Sequence, residues 1–364
     1  MSRARCRELG VRLGVLDPGP KNTIADVGEV RVGHVTLISG EGKLVPGKGP
    51  VRTGVTVIVP HRGNVARDRP KAAWDTVNGA GELTSALSME EFGVLDTPIA
   101  LTNTLCVGNV VMGLVEATLA ASPSAGITED TFVPTVSECD DSYLNDIRGL
   151  HVKPHHVRDA LAAASADVEL GAVGAGTGMT CCEFKGGIGS ASRRTKPEEG
   201  GYTVGALVLS NFGWRRHLTI AGVPVGRELE ALEPKPPGGG GSIVMVLATD
   251  APLDSRMLRR LARRAFHGLA RMGSFSSDGS GDIAVAFSTS ARVHYDAPET
   301  PLEEPRIHDA RMNPLFLAAV EATEEAIVDS LFTATTVVGR DGNVSPELPI
   351  PATIEILDRY ERIR

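Results

Sequence analysis

Apolar residues recur along this 364-residue chain with two spacings, one alternating and one helical. From Asn22, NTIADVGEVRVGHVTL alternates apolar and polar positions, and VRTGVTVIVPH repeats a strand-like run, which predicts a hairpin or meander across a loose, glycine-rich link. TVNGAGELTSALSMEEFGVLDTPIALTNTL then reads as loop, short helix and strand, and CVGNVVMGLVEATLAAS as a buried helix of apolar and small residues. FVPTVSECDDSYLNDI opens as a strand and ends polar, and PHHVRDALAAAS reads as a helix with proline near its first turn. YTVGALVLS and SIVMVLA are strands, the second short and fully buried. DSRMLRRLARRAFHGLARMG places Met257, Leu258, Leu261, Ala265, Phe266 and Leu269 on one helical face with its arginines mostly opposite. DIAVAFST is a further strand, NPLFLAAVEATEEAIVDSLFTAT a long helix, and Ile354 to Arg362 a terminal one. The second half runs strand, helix, strand, helix while the first half has no such rhythm, so two sheets covered by helices fit the pattern.

Composition narrows the function more than the fold. With 42% hydrophobic and 23% charged residues the chain is an ordinary globular one. Apolar runs such as GVTVIV fall short of the roughly 18 residues of a bilayer span, so no membrane partner is expected. MSRARCRELGVRLG has no continuous signal-peptide core. A net charge of -8 argues against nucleic acid and for small molecules or peptides. The five cysteines (Cys6, Cys106, Cys139, Cys181, Cys182) form no CxxC pair and are odd in number, which points to a reducing, cytoplasmic setting without zinc ribbon or disulfide framework.

The chemistry centres on PKPPGGGGSIVMVLATDAPL, where Gly238 to Gly241 end at Ser242 and a buried strand begins. Such a stretch is either a Gly/Ser linker or a functional junction. In the second case the Ser242 hydroxyl attacks the Gly241 carbonyl of a strained backbone, and the N-to-O shift and hydrolysis expose an α-amine with a pKa of roughly 7.7–8.0, which can serve as a base. In SSDGSGDIAVAF, Ser280 and Asp282 stand two apart at the start of a strand, so their side chains share a face and could hydrogen-bond to Ser242; the alternative is an ordinary Ser or Asx turn. Asn211 in LSNFGWRR is either an oxyanion donor or a turn asparagine.

Three further patterns carry less. GAGTGM lacks the last small residue of a dinucleotide fingerprint and opens no helix, so its glycines read as tight turns lining a pocket. His151, His155 and His156 have no accompanying carboxylate pattern and read as surface histidines rather than metal ligands. The arginines between Arg256 and Arg271 read as a solvated helix face.

Taken in order, NTIADVGEVRVGHVTL, NGAGELT, LSNFG, GGGGSIVMVLATDAPL and SGDIAVAFST resemble the P1 family of peptidases, the self-processing L-aminopeptidase/D-amidase-esterases and their β-peptidyl aminopeptidase relatives, from about Asn22 to the C-terminal helix. The resemblance implies an α+β fold, a four-layer αββα sandwich layered like the N-terminal-nucleophile hydrolases but connected differently. It implies one domain over residues 1–364, cut between Gly241 and Ser242 into an α chain of residues 1–241 and a β chain of residues 242–364. Ser242 is then the nucleophile, Ser280 holds and polarises it, Asp282 (often glutamate in the family) completes the relay, and Asn211 lines the oxyanion hole. Glu138 in SECDDSYLND matches the acidic residue that binds the substrate amine, and Tyr143 the tyrosine near the oxyanion. The implied enzyme releases N-terminal residues from short peptides, amides or esters, needs no metal or other cofactor, and assembles as a homo-oligomer of processed units, a tetramer. Two other readings share the fold: an acyltransferase resembling the ornithine acetyltransferases, and an unprocessed binding protein without chemistry.

Overall fold

The computed structural model describes residues 3–238, 241–296 and 305–363; of the glycine run, Gly239 and Gly240 therefore lie outside the described residues. The strands are β1 (Arg31–Ser39), β2 (Val51–Val59), β3 (Asp68–Gly79), β4 (Ile99–Asn103), β5 (Thr135–Cys139), β6 (Thr180–Cys181), β7 (Phe184–Lys185), β8 (Gly187–Arg194), β9 (Thr203–Asn211), β10 (Gly241–Thr249), β11 (Ser280–His294), β12 (Val337–Val338) and β13 (Val344–Ser345). The α-helices are α1 (Ala86–Phe92), α2 (Val107–Ala121), α3 (Pro154–Ala162), α4 (Val225–Glu228), α5 (Ser255–Arg271), α6 (Asn313–Thr333) and α7 (Ile350–Arg359).

Two sheets face each other. One has the order β1-β2-β4-β5 and the other β3-β11-β10-β9-β8. Three apolar clusters separate four layers. Val110 and Leu114 of α2 and Val157 and Ala160 of α3 pack on Val55, Val57 and Ala100 of the first sheet. Ile58, Ile99 and Leu101 meet Leu207, Leu209, Val244 and Val246 between the sheets. Met245 and Leu247 meet Leu258, Leu261, Ala322 and Ala326 of α5 and α6 beyond the second sheet. This is the αββα sandwich, and its central strand is β10. Ile243 to Leu247 are fully buried because alternate residues enter different clusters, as expected of a strand covered on both faces.

Three readings of the sequence change. Thr76 to Gly79, read as loop, close the edge strand β3, whose Pro70 and charged residues hid its period. Arg193 and Arg194, a charged pair outside every element predicted from the sequence, end β8, and the Arg193 side chain is fully buried. Helix α2 is buried on one face only: Val110, Gly113, Leu114 and Thr118 point inward, whereas Met112 and Leu119, together with Leu105 just before the helix, are exposed. Thr104–Ala121 is long and apolar enough to cross a membrane by composition, but its inner face is packed on the sheet.

Buried charge fastens the second sheet to α6. Arg193 Nη2 meets Glu325 Oε2 at 2.5 Å and its Nε meets Glu321 Oε2 at 3.2 Å; Arg7 Nη2 reaches Glu325 at 2.6 Å, and Arg5 Nε donates to Asp329 at 2.7 Å. Cys6, Glu325 and Asp329 converge closely enough to suggest a metal site, but the three guanidiniums already supply the positive charge. Arg193→Met should lower stability by roughly 3–5 kcal/mol, because it leaves buried carboxylates short of a partner, and should appear as a lower urea midpoint with unchanged slope.

Candidate active site

Ser242 is the second residue of β10, which runs antiparallel to β9 and parallel to β11. That register sets Ser242 opposite Asn211 on one side and Gly281 on the other. Gly241 precedes it at φ +116°, a conformation that favours glycine, and a β-carbon there would stand 1.9 Å from the Asn211 carbonyl oxygen. The serine is held by its neighbours' backbones, with only 6% of its surface exposed.

The Gly281 N–H donates to Ser242 Oγ at 3.1 Å, and no side-chain base bonds that hydroxyl among the described residues. Ser280 Oγ donates to Asp282 Oδ1 at 2.6 Å, so these two do converge. They do not meet the Ser242 hydroxyl. Ser242 shares its face of the sheet with Val244 and Val246, toward the other sheet, whereas Ser280 and Asp282 alternate with Gly281 and lie on the face of Ala284 and Ala286, toward the helices. The pair instead brackets the Ser242 backbone, since Ser280 is paired with Gly241 and Asp282 with Ile243. Asp282 Oδ2 is buried without a hydrogen-bond partner.

Asn211 is oriented from both ends of its amide. The Thr180 N–H donates to Oδ1 at 2.8 Å, and Nδ2 donates to the Asp140 carbonyl at 2.8 Å, leaving its second N–H without a partner among the described residues. Glu138, on β5, accepts from the Glu82 N–H at 3.1 Å and from the Thr104 hydroxyl. Burial raises its pKa; those two hydrogen bonds oppose the shift, and the charges of Asp140 and Glu82 add to it. Between Glu138 and Ser242 lies the Ala80–Gly81 turn: a β-carbon on Gly81 would sit 3.3 Å from Glu138 Oε1 and 3.5 Å from Gly281 Cα. The Tyr143 hydroxyl donates to the Val344 carbonyl at 3.3 Å on β13.

The histidines join none of this. His151 Nε2 lies 3.0 Å from Asp146, and His155 and His156 pack ring to ring at 4.0 Å. The GAGTGM glycines form the buried 3-10 turn Gly174–Gly178 and present no free helix terminus to a phosphate. Sequence reasoning missed Gly281, Thr180, Thr104 and Gly81 as site residues. Gly281 and Gly81 stood inside the SGD and NGAGELT motifs, while Thr180 and Thr104 carry no local signal.

A model of peptidase family S58 matches residues 22–345. The chain belongs to peptidase family S58. It is 45% identical to the β-peptidyl aminopeptidase BapA of Sphingosinicella microcystinivorans over 99% of this chain and 93% of that one. Among solved structures, the PH0078 protein from Pyrococcus horikoshii OT3 is similar with a TM-score of 0.95 and 52% identity, covering 99% of this chain and 100% of that one. The L-aminopeptidase D-Ala-esterase/amidase from Ochrobactrum anthropi, described as a prototype of the serine aminopeptidases and a variant of the Ntn-hydrolase fold, is similar with a TM-score of 0.90 and 36% identity over 99% of each chain. This S58 peptidase is thus a hydrolase of the serine aminopeptidase type, with the fold that its two facing sheets display.

Gly281→Ala tests the packing of this site. Its β-carbon would lie 2.5 Å from the Ala80 carbonyl oxygen and 3.0 Å from Ser242 Oγ. We expect kcat/KM on an amino-acid p-nitroanilide to fall about 100-fold, the loss expected of a displacement near 1 Å, while the circular dichroism spectrum is unchanged.

Proposed function

We propose that the chain cuts itself between Gly241 and Ser242 into an α chain of residues 1–241 and a β chain of residues 242–364, and that the freed Ser242 releases N-terminal residues from short peptides, amides and esters. One observation carries this reading: among the described residues the Ser242 hydroxyl meets a backbone donor and no side-chain base, which leaves the base to come from elsewhere. Its own α-amine, once freed, is poised to act near neutral pH.

In the cut, Ser242 Oγ attacks the Gly241 carbonyl carbon, the C–N bond breaks to leave an ester and a free amine, and water hydrolyses the ester. The tail that precedes the cut is tethered. Arg215, fully buried, donates to the carbonyls of Leu232 and Pro234 and to that of Glu183, which limits how far the approach to Ser242 can wander. Ser280 and the unpartnered oxygen of Asp282 flank the backbone nitrogen that becomes the amine, where they can accept its protons and orient it.

In turnover, that amine takes the Ser242 proton as Oγ attacks the substrate carbonyl. The second Nδ2 hydrogen of Asn211 receives the developing oxyanion, an interaction worth about 10²–10³-fold in rate. The ammonium of Ser242 then protonates the leaving amine, and water releases the acyl group by the reverse path. Glu138 anchors the substrate's ammonium through a charge-assisted hydrogen bond. Tyr143, the tyrosine given a place near the oxyanion, has its hydroxyl on the Val344 carbonyl before substrate binds.

The β-peptidyl activity named for BapA makes β-amino-acid amides the first substrates to try. A homo-oligomer, a tetramer in the family reading, accords with the exposed Leu105, Met112 and Leu119, which repeat every seven residues along one side of α2. Five free, buried cysteines accord with a reducing cytoplasm.

Wild-type protein should give two fragments of 241 and 123 residues, the smaller starting at SIVMV by N-terminal sequencing. Ser242→Ala should stay a single chain and lose hydrolysis; a full-length wild-type band that is fully active would sink the reading. Burial raises the Glu138 pKa from its ordinary value, and the anchor is its charged form. KM should therefore fall as pH rises through that raised pKa, and Glu138→Gln should raise KM and remove this dependence, while the acid limb of kcat set by the α-amine stays.

A further inference from the structure

Lys185 is the one fully buried lysine among the described residues, and no ion pair of it is formed there. It sits on β7, in a hairpin with β6 whose turn residues Cys182 and Glu183 both have positive φ, at +50° and +58°. Its Nζ donates to three carbonyls, those of Gly176 at 2.9 Å, Met179 at 2.6 Å and Gly186 at 2.7 Å. Three acceptors match the three N–H groups of an ammonium, whereas a neutral amine would leave one carbonyl without a donor. Burial draws its pKa down to about 7, and the carbonyl cage opposes that by favouring the charged form.

One of those carbonyls belongs to the peptide that orients Asn211. The Met179–Thr180 peptide accepts from Lys185 Nζ through its oxygen and donates to Asn211 Oδ1 through its N–H. At the far end of the Asn211 side chain, Nδ2 donates to Asp140. Turning the amide over would set its NH₂ against the Thr180 N–H and its oxygen against the Asp140 carbonyl, so the network permits one orientation. We propose that Lys185 is a positioning residue of the active site, whose charge acts through the Met179–Thr180 peptide to hold and polarise the Asn211 amide as an oxyanion donor.

The chain of dipoles runs in one sense. A cation at the carbonyl end of a peptide strengthens the N–H at the other end as a donor, and that N–H in turn draws electron density from the Asn211 NH₂ group toward Oδ1, which strengthens the remaining NH₂ hydrogen as a donor. Each link in such a chain strengthens the next by roughly 10–30%. The structural alternative is that Lys185 only plugs the turn Gly174–Gly178 against the hairpin. The proposal rests on the oxyanion role given to Asn211 above.

The test is a double-mutant cycle on an amide substrate, with turnover expressed per processed chain. Lys185→Met, close in shape but without donors, should lower kcat about 10–100-fold with KM within twofold, because the effect is felt chiefly in the transition state. Introduced into Asn211→Ala, the same change should cost less than about twofold, since the group through which it acts is gone. Equal losses in both backgrounds, or full kcat in folded Lys185→Met protein, overturn the relay while leaving an impaired Asn211→Ala to support the oxyanion reading. Full kcat in Asn211→Ala overturns both. Should Lys185→Met not fold, Lys185→Gln, which keeps N–H donors but no charge, decides the matter: a kcat loss that disappears in the Asn211→Ala background supports the relay, and unchanged kcat rejects it.

Discussion

The hydrogen-bonded register of β10 fixes the relative placement of nearly every group at the site. Because β10 pairs with β9 on one side and β11 on the other, a single residue, Ser242, has Asn211 and Gly281 as lateral neighbours. A slip of one residue would turn the hydroxyl to the opposite face of the sheet and exchange the contents of two apolar clusters. Ile243, Met245 and Leu247 on one face and Val244 and Val246 on the other are all fully buried, so such a slip is opposed on both sides. Ser242 is thus located by the packing of the strand that follows it.

That placement separates two tasks across the sheet. The hydroxyl lies toward the other sheet, near the turn that leads to Glu138, while Ser280 and Asp282 lie toward the helices and flank the backbone. A fully buried carboxylate oxygen without a donor is costly unless something comes to meet it. An amine created at Ser242 by the proposed cut would be such a partner.

Charge is handled differently elsewhere. Along α6, Glu321, Glu325 and Asp329 are buried on a helix that is covered almost all round, and the arginines that meet them come from the N-terminal segment and from β8. Burial alone pushes the Glu325 carboxyl up, but the hydrogen bond from Arg7 and the charge of Arg193 bring it below its ordinary value. These residues look like surface positions in the sequence because each is charged. Their partners lie more than a hundred residues away, so no local pattern announces the burial.

The strands β9 to β11 and helices α5 and α6 were legible from period and composition, as were Ser242 and the Ser280–Asp282 pair, because each signal is local: a run of β-branched residues, a helical stripe, a glycine run ending at a serine. The same local logic failed at β3, where Pro70 and charged residues mask an edge strand, and at α2, whose apolar outer face was read as core. Resemblance supplied Glu138 and Tyr143, but only the fold gives their partners, bringing Glu138 to the Ala80–Gly81 turn and the Tyr143 hydroxyl to the Val344 carbonyl. The sequence by itself determined the elements, the junction and the types of reactive group. Tertiary structure decided which face each group occupies, which backbone N–H meets which oxygen, and that Lys185 and Thr180 stand behind Asn211, because these depend on strand register and long-range pairing that no short window of residues contains.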